Sequence, residues 1–240
     1  MRKPSLSTEK LSNLCQQIPS LKKAIQVIED ALRKYCGGVS NNCDGGNAID
    51  LSRILVAFNG GKDCTLLLHL VFAVVDSLPS SFGSLRLLYI CDSPGETFSE
   101  ISDFVVATQN LYGLSCITVA GGDMRAALDK VVHDQPEVCA IFMGTRSGDP
   151  NAGWMDYFCK TSGGWPEIDL VAPLLHMKYS QVWRIIQELE IPYCSLYNQG
   201  YTSVGRRSNT IPNPLLCLDT GEYLPAYKLV DESQERLGRL

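Results

Sequence analysis

Leu21, Ala24, Ile25, Ile28 and Leu32 recur three and four residues apart, the apolar stripe of an amphipathic helix. Such a face needs an apolar surface to cover, so this helix is expected to pack on the main domain. Residues 37–50 are rich in Gly, Asn and Asp and read as a loop rather than a hinge between large domains. From Arg53 the period changes. Short apolar runs at 54–58, 85–91, 115–119, 138–143 and 169–173 have the pattern of strands buried on both faces. Helical segments lie between and after them, at 62–76, 97–111, 123–133 and 179–190. Thr97 followed by Glu100 has the form of a capping box, and Gly113 suits the stop of that helix.

Strands alternating with helices predict an α/β fold with a doubly wound, mostly parallel, Rossmann-like sheet, because parallel neighbours require crossover connections. The expected organisation is an N-terminal helical extension and loop over residues 1–50 and a single domain over 51–240. In such sheets ligands bind beyond the carboxyl ends of the strands, near the switch in strand order. After Ile191 the chain is rich in Pro, Asn, Gly and Arg without a long apolar period. An irregular tail of this kind wraps a domain or builds a site.

Composition narrows the class without choosing a function. The apolar fraction of 45% and charged fraction of 20% over 240 residues are those of an ordinary globular chain. The most apolar stretch, residues 66–75, is about half of what a bilayer span needs and is interrupted by His69, so no membrane segment is expected. A net charge of −5 argues against a general nucleic-acid binder, yet leaves room for a nucleotide site if the cations among Lys62, Arg146, Lys160, Arg206, Arg207, Arg236 and Arg239 converge. Ten cysteines without a single CxxC spacing speak against a zinc site or redox dithiol. Read as reduced thiols, they imply a cytoplasmic setting. Basic residues near the N-terminus leave mitochondrial delivery open, although Glu9, Glu29 and Asp30 are unlike an acid-poor presequence.

The run 54–58 ends at Phe58 and passes into Asn59-Gly60-Gly61-Lys62-Asp63-Cys64, then an apolar helix. Glycines between a strand and a helix bring backbone N–H groups to an anion at the helix N-terminus, where the dipole favours negative charge. A phosphate site is the natural reading. A Walker A loop would need an earlier glycine and a Ser or Thr directly after Lys62, where Asp63 stands. A second segment, Gly144-Thr145-Arg146-Ser147-Gly148-Asp149-Pro150, follows the run 138–143 at the same predicted sheet edge. By itself it reads as an Asp-Pro turn with a solvated arginine. Arg236 and Arg239, three apart, likewise read as one wet face of a short helix.

Taken together, these motifs resemble a known family. The loop at 59–64 is similar to the PP-loop SGGxDS of ATP pyrophosphatases, with Asn59 in place of the first Ser and Cys64 in place of the last. In that form it looks like the loop of the FAD synthases of the phosphoadenylyl-sulfate-reductase-like family. Gly144-x-Arg146-x-x-Asp149-Pro150 resembles their flavin motif, and the blocks around Trp165, Pro173-Leu174-Leu175, residues 200–205, 209–214 and 225–239 follow in the family's order. The resemblance covers roughly residues 51–239 and leaves the first fifty unexplained.

It implies an adenylyltransferase that joins AMP from ATP to FMN, releases pyrophosphate and yields FAD, with Mg2+ as cofactor. Phe58, Asn59, Gly60, Gly61, Lys62 and Asp63 would hold the ATP phosphates, with Asp63 also the candidate magnesium ligand. Gly144, Arg146, Asp149, Pro150 and Trp165 would hold the flavin, Asp149 accepting from the ring imide. Asn59, Lys62, Asp63, Arg236 and Arg239 would carry catalysis, the arginines as guanidinium forks on phosphate oxygens. The implied partners are small molecules and client apoflavoproteins, and a monomer is expected. A reductase of the same fold would require a nucleophilic cysteine in a Cys-Gly-x-His setting, which the tail lacks around Cys194 and Cys217. A tRNA-modifying relative is disfavoured by the acidic balance, and a non-catalytic flavin module by the intact polar set.

Overall fold

The computed structural model describes residues 8–37, 39–40, 47–78, 81–91, 93, 95–120, 124–150, 152–161 and 163–240. Two helices, α1 (Thr8–Gln17) and α2 (Pro19–Cys36), come first. Pro19 opens α2, where its missing N–H costs nothing. The apolar stripe of α2 includes the expected Leu21, Ala24, Ile28 and Leu32, with Val27 and Ala31 added, and all are buried in the same cluster as the central sheet. α1 carries no stripe long enough to have been read from the sequence.

Within the expected loop at 37–50 lie two short strands, β1 (Val39–Ser40) and β2 (Asn47–Asp50). They pair with each other, and β2 pairs in parallel with β4 (Ser81–Phe82), forming a small three-stranded sheet. The loop reading is corrected here. Strands this short are fixed by a distant partner, which local composition does not report.

The main sheet holds β3 (Ile54–Ala57), β5 (Arg86–Cys91), β6 (Ser115–Ala120), β7 (Ala140–Phe142), β8 (Phe158–Lys160) and β9 (Asp169–Val171), in the order β6-β5-β3-β7-β9-β8. Every neighbouring pair is parallel except β8 with β9. The chain winds outward from β3 through β5 to β6, then returns to β7 on the other side of β3. The strand order therefore reverses between β3 and β7, and a crevice opens at their carboxyl ends. β8, an antiparallel edge strand of three residues, extends the five expected strands to six.

Alternate side chains of the strands serve two cores. Ile54, Val56, Leu87, Ala140 and Phe142 join the cluster with α2, α3 (Lys62–Asp76), α4 (Ser99–Tyr112) and α6 (Tyr179–Glu188). Leu55, Leu88 and Ile141 face the other way, onto Ala127, Leu128 and Val131 of α5 (Met124–Asp134). Helices thus cover both faces, as a mainly parallel sheet requires. No helix among the described residues is long and apolar enough to cross a membrane.

Two helix termini differ from expectation. α4 begins at Ser99, and Phe98 takes the cap position without a side-chain bond, its ring set edge-on to Tyr201 at 5.4 Å. The Thr97–Glu100 capping box does not form; Ser99 Oγ donates to Glu100 instead, at 3.0 Å. α6 stops at Glu188 because Glu190 turns into the left-handed region at φ 54°. Gly113 ends α4 in that same conformation, as expected. From Ile191 the tail runs over the carboxyl edge of the sheet as single 3-10 turns, including Ser195–Gln199, Arg207–Asn209 and Glu232–Gln234.

Candidate active site

β3 does not end abruptly. The Phe58 N–H donates to Leu88 O at 2.9 Å, carrying the ladder one residue past the strand, before Gly60 turns at φ 74°. Asn59 folds back over the turn. Its Oδ1 accepts from the Gly61 N–H at 3.0 Å and from the Cys64 thiol at 2.9 Å. The first helical bond of α3 is Thr65 N–H to Gly61 O, so the amides of 62–64 precede it. Lys62 gives its N–H to Tyr197 Oη at 2.8 Å, which leaves those of Asp63 and Cys64 without an intrahelical acceptor at the positive end of the helix dipole. Burial pushes the Cys64 thiol up to about 12, so it serves as a neutral donor.

Beneath the loop lies a cluster of two cations and two carboxylates. Lys62 Nζ is 3.0 Å from Asp63 Oδ2 and 2.5 Å from Glu235 Oε1, with the Tyr179 ring centroid 5.2 Å away. Arg146 Nη2 donates to Glu235 Oε1 at 2.6 Å and also reaches Oε2. Arg146 Nε is 2.9 Å from Asp63 Oδ1 without an aligned hydrogen bond, so that contact is Coulombic. Side-chain exposure is 3% for Lys62 and 8% for Arg146, which makes these pairings obligatory. Burial works against the Arg146 charge, but Asp63 and Glu235 outweigh it and hold its pKa above the usual arginine value.

Above the cluster is a cavity of about 430 Å³ at the strand-order switch. The loop after β3 contributes Asn59, Gly61 and Asp63, the loop after β7 contributes Gly144 and Asp149, and the tail contributes Ser203, Gly205, Arg236 and Arg239. Asp149 closes its own turn, accepting the Arg146 N–H on Oδ2 at 2.8 Å, while its Oδ1 faces Arg236 Nη1 at 3.9 Å. Arg239 donates to Ser203 Oγ at 3.4 Å, and its guanidinium lies over Gly205, where an added Cβ would come within 2.0 Å of it.

Asp63, expected from the resemblance as the magnesium ligand, has both oxygens facing cations. No group of three or more His, Cys, Asp or Glu among the described residues is placed to hold a metal. The residues present do not fit a protein-held magnesium site.

Residues 123–212 match the profile of the phosphoadenosine phosphosulfate reductase domain. A Schizosaccharomyces pombe protein named probable FAD synthase is 36% identical over 190 residues, covering 78% of this chain and 71% of that one. The chain belongs to the FAD synthase family. A probable FAD synthase of Caenorhabditis briggsae is 32% identical over 227 residues, 92% of this chain but 40% of its own length, so the chain spans about two fifths of that relative. The crystal structure of Candida glabrata FMN adenylyltransferase superimposes with a TM-score of 0.82 at 23% identity, covering 100% of this chain and 98% of that one, which shows a common fold. Phosphoadenylyl-sulfate reductase from Candida auris gives 0.56 at 16% identity, over 86% of this chain and 98% of its own.

Of the residues that the FAD synthase resemblance picked out, Phe58, Asn59, Gly61, Lys62, Asp63, Gly144, Asp149, Arg236 and Arg239 line the one cavity. Gly60 shapes the loop from outside it. Arg146 lies under it, its charge turned to Asp63 and Glu235 rather than to open space. Pro150 and Trp165 are not in the lining; Trp165 is 40% exposed on the turn from β8 into β9. Among the other candidate cations, Lys160 lies on the edge strand β8, and Arg206 and Arg207 are exposed on the tail. Sequence reasoning missed Glu235 and Tyr197. An acid directly before Arg236 was the available sign for Glu235. Nothing local marks Tyr197, which reaches Lys62 only through the path of the tail.

Proposed function

We propose that the chain transfers the adenylyl group of ATP to the phosphate of FMN, giving FAD and pyrophosphate. The observation that carries this reading is the meeting of the helix N-terminus after β3, Asp149 and the paired Arg236 and Arg239 in one cavity. Its volume is in the ordinary range for a small-molecule site, roughly 300–1,000 Å³. Solved complexes of the Candida glabrata enzyme hold FMN with an ATP analogue, and FAD with inorganic pyrophosphate.

A phosphate oxygen of FMN attacks the α-phosphorus of ATP, and the bond to the β-phosphate oxygen breaks in line. The nucleophile is a phosphate with a second pKa near ~6, anionic at neutral pH, so no side chain has to remove a proton. Positioning and charge neutralisation do the work. The amides of Asp63 and Cys64 face the phosphate chain, Arg236 and Arg239 take the charge that builds on departing pyrophosphate, and Asp149 accepts from the flavin imide. Asn59 acts by holding the turn. Lys62 and Arg146 act from below, keeping the two loops together. Magnesium in this reading arrives on the phosphates of ATP.

Reductase chemistry on the same fold needs a nucleophilic thiolate. Cys64 is the cysteine lining the cavity among the described residues, and burial keeps it protonated. A monomer in a cytoplasmic setting, delivering FAD to client apoflavoproteins, completes the proposal; mitochondrial delivery is an alternative setting.

The test is incubation of purified protein with ATP, FMN and magnesium, following FAD and pyrophosphate together beside an Asp63→Ala variant. One-to-one products that vanish in the variant support the reading. Consumption of adenylyl-sulfate compounds without FAD would replace it.

A further inference from the structure

Glu235 falls within the block 225–239 but was given no role there, although it lines the cavity and touches both loops that build it. Its Oε1 is 2.5 Å from Lys62 Nζ, at the start of α3, and 2.6 Å from Arg146 Nη2, in the loop after β7. Its backbone is held as well. Thr202 Oγ1 donates to Glu235 O at 2.6 Å, and the fully buried Asn213 donates to Thr202 Oγ1 at 3.0 Å and to Gln234 O at 2.9 Å. Arg236 is the next residue, and the Arg239 N–H bonds back to Arg236 O at 2.9 Å. The charges of the tail and of the flavin-motif loop are therefore paired in crossed order: Glu235 with Arg146, and Arg236 with Asp149.

We infer that Glu235 is a positioning residue that sets the adjacent Arg236 over the phosphate loop, acting through that arginine rather than on substrate. This rests on the adenylyltransferase reading of the cavity. Arg239 is held by main chain, in an antiparallel bridge with Thr210 in which the Ile211 N–H donates to Gly238 O at 2.9 Å and the Leu240 N–H to Asn209 O at 3.0 Å, whereas Arg236 lies outside that bridge, just after the turn Glu232–Gln234. Glu235 is the anchor tied to both loops at once. A carboxylate is required because both contacts are cations, and a glutamate because it must span from the tail backbone to Lys62 and Arg146 together. Aspartate keeps the charge but falls one carbon short. An ångström of misplacement at a reacting centre costs about 100-fold in rate.

The test compares Glu235→Asp and Glu235→Gln with wild type for kcat, for KM of ATP and FMN separately, and for Tm, and adds each to Arg236→Ala. The inference expects Glu235→Asp to fold with a near-normal Tm and to lose about 100-fold in kcat, with each KM changed less than kcat. In the Arg236→Ala background the same change should cost much less than 100-fold, because the residue through which it acts is gone. Normal kcat in folded Glu235→Asp would overturn it, since charge alone would then suffice. So would full additivity with Arg236→Ala. If Glu235→Gln fails to fold, Glu235→Asp decides alone. Absence of FAD formation by the wild-type protein is a separate result, and it would count against the proposed reaction instead.

Discussion

Gly144 and Cys64 meet backbone to backbone: a Cβ on Gly144 would lie 2.8 Å from the Cys64 amide nitrogen and 3.0 Å from its Cα. The loop after β7 thus rests on the first turn of α3, and the two halves of the site are joined where the strand order reverses. A side chain at 144 could be accommodated only by moving main chain. Gly144→Ala is expected to destabilise the protein by about 1–3 kcal/mol, as overpacking does, and to lower adenylyl transfer more than its stability loss accounts for. Denaturant unfolding with parallel rate measurements checks this, and wild-type stability with wild-type rate would contradict it.

The relation between Gly205 and Arg239 is different in kind. An added Cβ would fall 2.0 Å from Nη2 of Arg239, which is the far end of a flexible side chain. The fold can yield there, but the guanidinium must leave. Gly205→Ala is therefore expected to keep a near-normal Tm while losing kcat to about the extent of Arg239→Ala, roughly 10²–10³-fold if that arginine neutralises leaving-group charge. A melting curve and a turnover rate suffice. Full activity in Gly205→Ala would remove Arg239 from its assigned place.

His69, which interrupts the longest apolar run, is 1% exposed in α3 and bonds the Tyr112 hydroxyl. Burial drives its pKa down to about 3, from 6.5 in the unfolded chain. Between those values the unfolded state holds a proton that the folded state refuses. The stabilisation is intact above about pH 6.5 and is lost as pH falls toward 3, at about 1.4 kcal/mol per unit. Unfolding free energy should drop by about 1 kcal/mol more in wild type than in His69→Gln between pH 6.5 and 5.5, because the amide keeps a partner for Tyr112 and does not titrate. Equal slopes would contradict the assignment.

Cys64 and Cys217 should separate in a labelling experiment. Cys217 is exposed, whereas Cys64 is buried with its thiol pushed up to about 12. At pH 8 that leaves about one part in ten thousand of Cys64 as thiolate. Alkylation of the native protein, mapped by mass spectrometry, is expected to modify Cys217 and spare Cys64 until the chain is unfolded. Comparable rates at the two positions would show that the loop opens.

How far the sequence foretold this arrangement depends on whether local pattern or distant contact fixes each part. The helix at 62–76 was legible to the residue because a Gly-Gly turn and a continuous apolar run bound it. The five parallel strands of the main sheet were legible because short, mainly apolar runs set among helical segments mark them, even where, as in β6, the strand is half exposed at the sheet edge. β1, β2, β4 and β8 were not, since no such run marks them and each is fixed by the strand it pairs with. The same division holds in the site. Asn59, Asp63, Asp149, Arg236 and Arg239 carried motif signals and reached one cavity. The inward turn of Lys62 and Arg146 onto Asp63 and Glu235 did not show, because charge pairing under a loop depends on how the tail returns over the sheet.

The most direct test of the central claim follows the phosphates of ATP one at a time. Purified protein is given FMN with ATP labelled at the α-phosphate, and separately with ATP labelled at the γ-phosphate. The account predicts α-label in FAD, γ-label in pyrophosphate, and neither in orthophosphate. γ-Label transferred to flavin or released as orthophosphate, or α-label that never enters a flavin product, would contradict it.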